Sequence, residues 1–171
     1  ELSILNASDL PLTTTYFDPN GNVTNEERSF YDAQGRCSRV IEKAADNDEG
    51  YGEHLLTHDA QGKVVQDIEL EWNGDATDTV LVCAYTYKGT LLTERTDRLG
   101  GMHGSRWTKT TRTYDKQQRL VQDEISDSET AAPNTYKAFT YDDQNRIATE
   151  EWFRKESGTL KKIRSVHWSY E

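Results

Sequence analysis

The sequence predicts an all-β protein: one antiparallel meander of about twelve strands, built from hairpin repeats and forming a curled or strip-like sheet. Three observations carry that prediction. A Tyr-Asp-x-x-Gly-Arg segment recurs at intervals of 27 to 29 residues. The residues between its copies alternate with the period of two that a half-buried strand requires. No long stretch shows the 3.6-residue period of an amphipathic helix.

Taken in order, the first clear copy is Tyr31-Asp32-Ala33-Gln34-Gly35-Arg36, and His58-Asp59-Ala60-Gln61-Gly62-Lys63 follows it. Tyr87-Lys88-Gly89-Thr90 keeps the register with a shortened turn, read as a two-residue turn at Lys88-Gly89. Tyr114-Asp115-Lys116-Gln117-Gln118-Arg119 and Tyr141-Asp142-Asp143-Gln144-Asn145-Arg146 complete the series. The basic residue is followed by Cys37, Val64, Leu120 or Ile147. Phe17-Asp18-Pro19-Asn20-Gly21 is a similar turn, but it lies only 14 residues before Asp32. One strand separates the two, so the Asp18 turn belongs at the opposite end of the sheet.

The physics of the unit is local. Asp accepts hydrogen bonds from amides two residues on and so opens a turn. Gly35, Gly62 or Asn145 then supplies a positive φ at low steric cost. A type I turn with such a residue closes a hairpin, and the Tyr before it is expected to face the basic-apolar pair after it across the ladder. Gln118 stands where glycine is preferred, at a penalty of roughly 1 kcal/mol. Breaker-rich connections at residues 46–50, 73–75, 99–104, 127–134 and 156–158 separate the hairpins. Val80, Val82 and Ala84 alternating with Leu81, Cys83 and Tyr85 show the strand period between them.

This unit resembles the YD repeat of bacterial RHS-type proteins, over roughly residues 16 to 155, with the closest matches at Asp32, Asp59, Asp115 and Asp142. That family builds spiralling β-sheet strips in toxin-delivery shells, wall-associated proteins and small envelope lipoproteins. The resemblance implies a bacterial β scaffold; it transfers no active site, because the repeated residues form turns.

Composition sets the outer bounds. The chain has 171 residues and is expected to form a single domain over 1–171. Only 31 residues are Leu, Ile, Val or Phe and the net charge is −10, a balance common in disordered chains. Nine Tyr and four Trp argue instead for a pleated, half-buried sheet without a thick core. Thirty acidic against twenty basic residues argue against a phosphate backbone as partner and suit a basic protein. No apolar run is long enough for a membrane-spanning helix. Glu1 in place of an initiating Met is read as removal of a leader or anchor, or as trimming; both remain open.

Catalytic and metal patterns are weak. Asp46-Asn47-Asp48-Glu49-Gly50 resembles a calcium loop with its glycine misplaced, and reads better as an acidic connection. His54 and His58 lie four apart on a strand, roughly 13 Å, too far to share a zinc. Cys37 and Cys83 fall on strands three spacings apart, beyond bridging distance, so both are expected to be free. No Gly-x-Ser-x-Gly, phosphate loop or Cys-x-x-Cys occurs. The reading is therefore a non-catalytic, cofactor-free protein-binding module. Its specific form is an immunity or inhibitor protein against a basic toxin, in the bacterial periplasm or envelope or in the cytoplasm. A structural envelope module and a carbohydrate-binding module are the alternatives. Candidate contact residues are Trp107, Trp152 and His103, with Asp46, Asp48 and Glu49 steering a basic partner.

Overall fold

The computed structural model describes residues 1–46, 51–72, 76–100, 106–129 and 132–170. Among them the protein is all-β, with thirteen antiparallel strands whose order in the sheet follows chain order. The chain divides into two compact units, Glu1–Ala84 with Leu99–Gly104, and Tyr85–Arg98 with Ser105–Glu171.

The first unit contains β1 (Leu2–Leu5), β2 (Pro11–Phe17), β3 (Val23–Tyr31), β4 (Cys37–Ala44), β5 (Tyr51–His58), β6 (Val64–Trp72) and the start of β7 (Thr77–Lys88). The second contains the end of β7, β8 (Leu91–Leu99) up to Arg98, and β9 (Trp107–Tyr114), β10 (Leu120–Asp127), β11 (Thr135–Tyr141), β12 (Ile147–Glu156) and β13 (Thr159–His167). Thirteen strands rather than twelve arise because a further hairpin, at Asn6, folds β1 onto β2. Asn6 Oδ1 accepts the amides of Ser8 and Leu10 at 2.8 and 3.1 Å, and Asp9 takes φ +59°. Asn and Asp there do the work of Asp and Gly.

The same five-residue turn recurs at Asp18, Asp32, Asp59, Asp115 and Asp142. At Asp32 the backbone N–H donates to the Arg36 carbonyl at 2.9 Å, and the Gly35 N–H donates back to the Asp32 carbonyl at 2.9 Å. The Asp32 carboxylate accepts the amides of Gln34 and Arg36, both at 2.9 Å. The fourth residue is left-handed throughout: Gly21, Gly35, Gly62, Gln118 and Asn145 have φ between +62° and +86°. A register irregularity accompanies each turn, as at Phe30/Tyr31 and Thr140/Tyr141, the signature of a bulge closing a short hairpin. At β7–β8 the turn residues are Gly89 and Thr90, one place later than Lys88-Gly89, with Gly89 at φ +59°. The β12–β13 turn is a mirror-image type, with Ser157 at +49° and Gly158 at +84°.

The expected pairing of Tyr with the basic-apolar couple divides in two. Tyr31 pairs with Cys37 and Tyr141 with Ile147, so the Tyr meets the apolar member. The Arg turns back instead to its own Asp: Arg36, Arg119 and Arg146 place Nε 2.7, 2.7 and 2.8 Å from Oδ2 of Asp32, Asp115 and Asp142.

The interior is thin. Cys83 is the one apolar residue fully buried among the described residues, while Thr14, Glu53, Asp123 and Ser126 are buried polar groups. Cys37 is half-buried, and neither thiol is bridged; burial pushes the Cys37 thiol up. With so little apolar burial, the ladders and the links between successive turns carry much of the order.

Candidate functional site

Residues paired across an antiparallel ladder share a face. In the first unit one such row runs Glu27, Glu42, Gly52, Glu71, Asp78 across β3 to β7. Glu69 lies on the same face, two residues before Glu71 on β6. Glu27 stands directly opposite Glu42, and Glu71 opposite Asp78, arrangements that repel. Among the described residues no cation is paired with Glu42, Glu69 or Glu71. Glu27 accepts a hydrogen bond from the Tyr16 hydroxyl, and burial, that bond and the nearby carboxylates raise the Tyr16 pKa.

Gly52 leaves the middle of the row open. A Cβ there would meet nothing within 4 Å. An open cleft of about 400 Å³ lies at this point, its lining including Asn25, Glu42, Gly52, Glu69, Glu71 and Val80. The opposite face carries the apolar row Leu55, Ile68, Val82. On that face Glu53 is neutralised by Arg39 at 2.6 Å, and Tyr51 stacks on Trp72 with centroids 5.3 Å apart. Among the described residues Glu42, Glu69 and Glu71 thus have no salt-bridge partner on their face, where His54, the ladder partner of Glu69, is bonded instead to Asp67.

Trp107 and Trp152 lie in the second unit, but on opposite faces. Trp152 belongs to the row Arg112, Asp123, Lys137, Trp152, Arg164, whereas Trp107 pairs with Arg98 and stands five residues from Arg112 along β9. Trp152 is half-buried, its Nε1 donates to Glu150 Oε1 at 2.6 Å, and Lys137 Nζ lies 3.9 Å from the ring centroid. That setting suits an anionic neighbour better than a basic one. Asp46 is exposed just beyond β4. Asp48, Glu49 and His103 lie outside the described residues.

One cluster has the residue types of nucleophilic catalysis in the wrong order. His54 Nδ1 lies 3.1 Å from Asp67 Oδ1, and Cys83 is the ladder partner of Asp67. The carboxylate strand separates the thiol and imidazole strands by two spacings, roughly 9.6 Å, whereas a base must touch its nucleophile. Among the described residues no three His, Cys, Asp or Glu side chains are grouped to hold a metal. No helix of the described residues is long and apolar enough to cross a membrane.

The turn carboxylates are occupied by their own loops. The amide of Arg36, Arg119 or Arg146 is the largest influence holding Asp32, Asp115 and Asp142 below the usual carboxylate range. For Asp18 the side-chain bond from Asn22 is the largest. Sequence reasoning missed the carboxylate row, although Glu26-Glu27 and Glu69-Leu70-Glu71 were visible; which face each Glu takes depends on bulges that one chain's letters do not show. No protein-family model matches the sequence, and no curated protein matches it.

Proposed function

We propose that this protein is a non-catalytic binding module that takes a basic protein partner on the carboxylate face of its first unit. The observation that carries the reading is the unpaired set Glu42, Glu69 and Glu71 around the open position at Gly52. Like charges set opposite one another cost a sheet stability, and a cationic partner relieves that cost on binding. The net charge of −10 adds long-range steering toward such a partner. The resemblance to the bacterial YD repeat supports a more specific form, an immunity or inhibitor protein against a basic toxin, working in the bacterial envelope or periplasm.

The test uses wild-type protein and a Glu42→Gln, Glu69→Gln, Glu71→Gln variant as parallel baits, followed by binding measurements on purified partners. A basic protein held by the wild type and lost by a variant of equal thermal stability supports the reading. Equal retention by both baits contradicts it.

A further inference from the structure

The last hairpin reverses the charge of the chain. From Arg154 through His167 there are five Lys or Arg and one Glu, in a protein of net charge −10. Lys161 is paired with Glu156 at 2.7 Å, and Lys162 with Glu151. Arg154 and Arg164 have no carboxylate ion-pair partner among the described residues, and the only carboxylate Lys137 faces across the ladder is Asp123, which is already paired with Arg112 at 3.6 Å. All three share one face: Lys137 and Arg164 are the ladder partners of Trp152, and Arg154 stands two residues beyond it on β12. Arg154 and Arg164 are exposed. The cations therefore ring Trp152, whose indole N–H is fixed on Glu150 and whose face Lys137 covers.

We propose that this face of β11–β13 docks an acidic polypeptide segment. Charge complementarity identifies the occupant. Lys137 and Arg164 lie two strand spacings apart, roughly 9.6 Å, and alternate carboxylates of an extended peptide fall about 7 Å apart on one face. Successive acidic side chains can therefore reach neighbouring cations, with Arg154 and Arg164 offering two-pronged pairing. A nucleic acid or a sugar would look to stack on Trp152, but that ring face is already covered by Lys137.

The edge of β13 is a poorer site than its face. It carries Lys161 and Lys162, and Ile163 is an extra residue in the pairing with β12; charges and bulges both discourage strand addition.

The test is a nuclear magnetic resonance titration at low salt with a peptide of about twelve glutamates, long enough at roughly 3.3 Å per residue to cross the patch. The Trp152 indole signal is assigned through Trp152→Phe. The expected result is a shift of that signal, with affinity falling about tenfold or more in Lys137→Gln combined with Arg164→Gln at unchanged melting temperature. A lysine peptide of equal length should leave Trp152 unmoved, which separates this surface from the carboxylate face. The proposal is overturned by an unshifted Trp152, by undiminished binding to the double variant, or by tighter binding of an oligothymidine at Trp152. It is also overturned if dilution of the protein alone moves the signal, because a second copy would then occupy the patch.

Discussion

The guanidinium of Arg119 lies over the ring of Tyr141, 4.6 Å from its centroid, although 22 residues separate them along the chain. The Tyr141 hydroxyl donates to the Leu120 carbonyl at 2.8 Å, and Arg119 Nη1 donates to Asn145 Oδ1 at 2.8 Å. Each turn thereby grips the next. Arg146 and Tyr170 repeat the relationship, at 4.3 Å with a 3.0 Å hydroxyl bond to Ile147. Tyr31 bonds Pro11 and Tyr114 bonds Leu92 in the same way. Tyr141→Phe should cost about 1 kcal/mol, the usual worth of one hydrogen bond. Combined with Arg119→Gln in a double-mutant cycle, Tyr141→Leu should show coupling of about 0.5–1 kcal/mol. Chemical denaturation measures both.

Backbone strain should be visible at single turns. Gly35→Val should destabilise by about 1–2 kcal/mol, because Gly35 sits at φ +77°. Space is not the cause, since a Cβ there meets only Leu10 Cδ1 at 3.9 Å. Gln118→Gly, at φ +64°, should be neutral or stabilising by up to about 1 kcal/mol. An unchanged unfolding midpoint for Gly35→Val would remove the turn from the energetics.

The pH dependence has two signs. Asp18, Asp32, Asp115 and Asp142 have folded pKa values below the ordinary one. Their contribution is complete above the unfolded value of about 3.9 and is lost as pH falls through the lower folded values. Asp123 is raised by burial despite Arg112 and Lys137. Its protonation in the folded state comes first and adds stability as pH falls toward the ordinary value. Thermal melting against pH should therefore fall steeply in acid, less so in Asp142→Asn, and lose its preceding rise in Asp123→Asn.

The two tryptophans singled out in the sequence should behave independently. Trp107 and Trp152 occupy opposite faces, so a partner of the size of one sheet face contacts at most one. Alanine variants of both, tested against the same partner, should not both speed its dissociation; a loss of about 2 kcal/mol at both positions would contradict the face assignment.

What the sequence made legible follows from range. Turns at Asp32, Asp59, Asp115 and Asp142 are local, each needing only an Asx acceptor and a residue that tolerates positive φ. The Asn6 turn has that chemistry but none of the repeat's letters at its ends, with Leu5 for Tyr and Leu10 for Arg, so it passed unseen. Tyr170 has no Asp after it to mark a repeat, yet its contacts with Arg146 and Ile147 show it occupying the Tyr position of the next unit. The carboxylate row is the hardest to read. A slip of one residue sends every side chain to the other face, and the irregularities at Phe30/Tyr31 and Glu69/Leu70 decide which Glu residues meet.

The most direct measurement is the association rate of a purified basic partner with wild type and with the Glu42→Gln, Glu69→Gln, Glu71→Gln variant, each across a salt series. A steered encounter with the carboxylate face predicts a wild-type rate that falls steeply with salt. It also predicts a variant rate about tenfold or more lower at low salt, with a flatter salt dependence. Equal rates and equal salt slopes in the two proteins would contradict binding through that face.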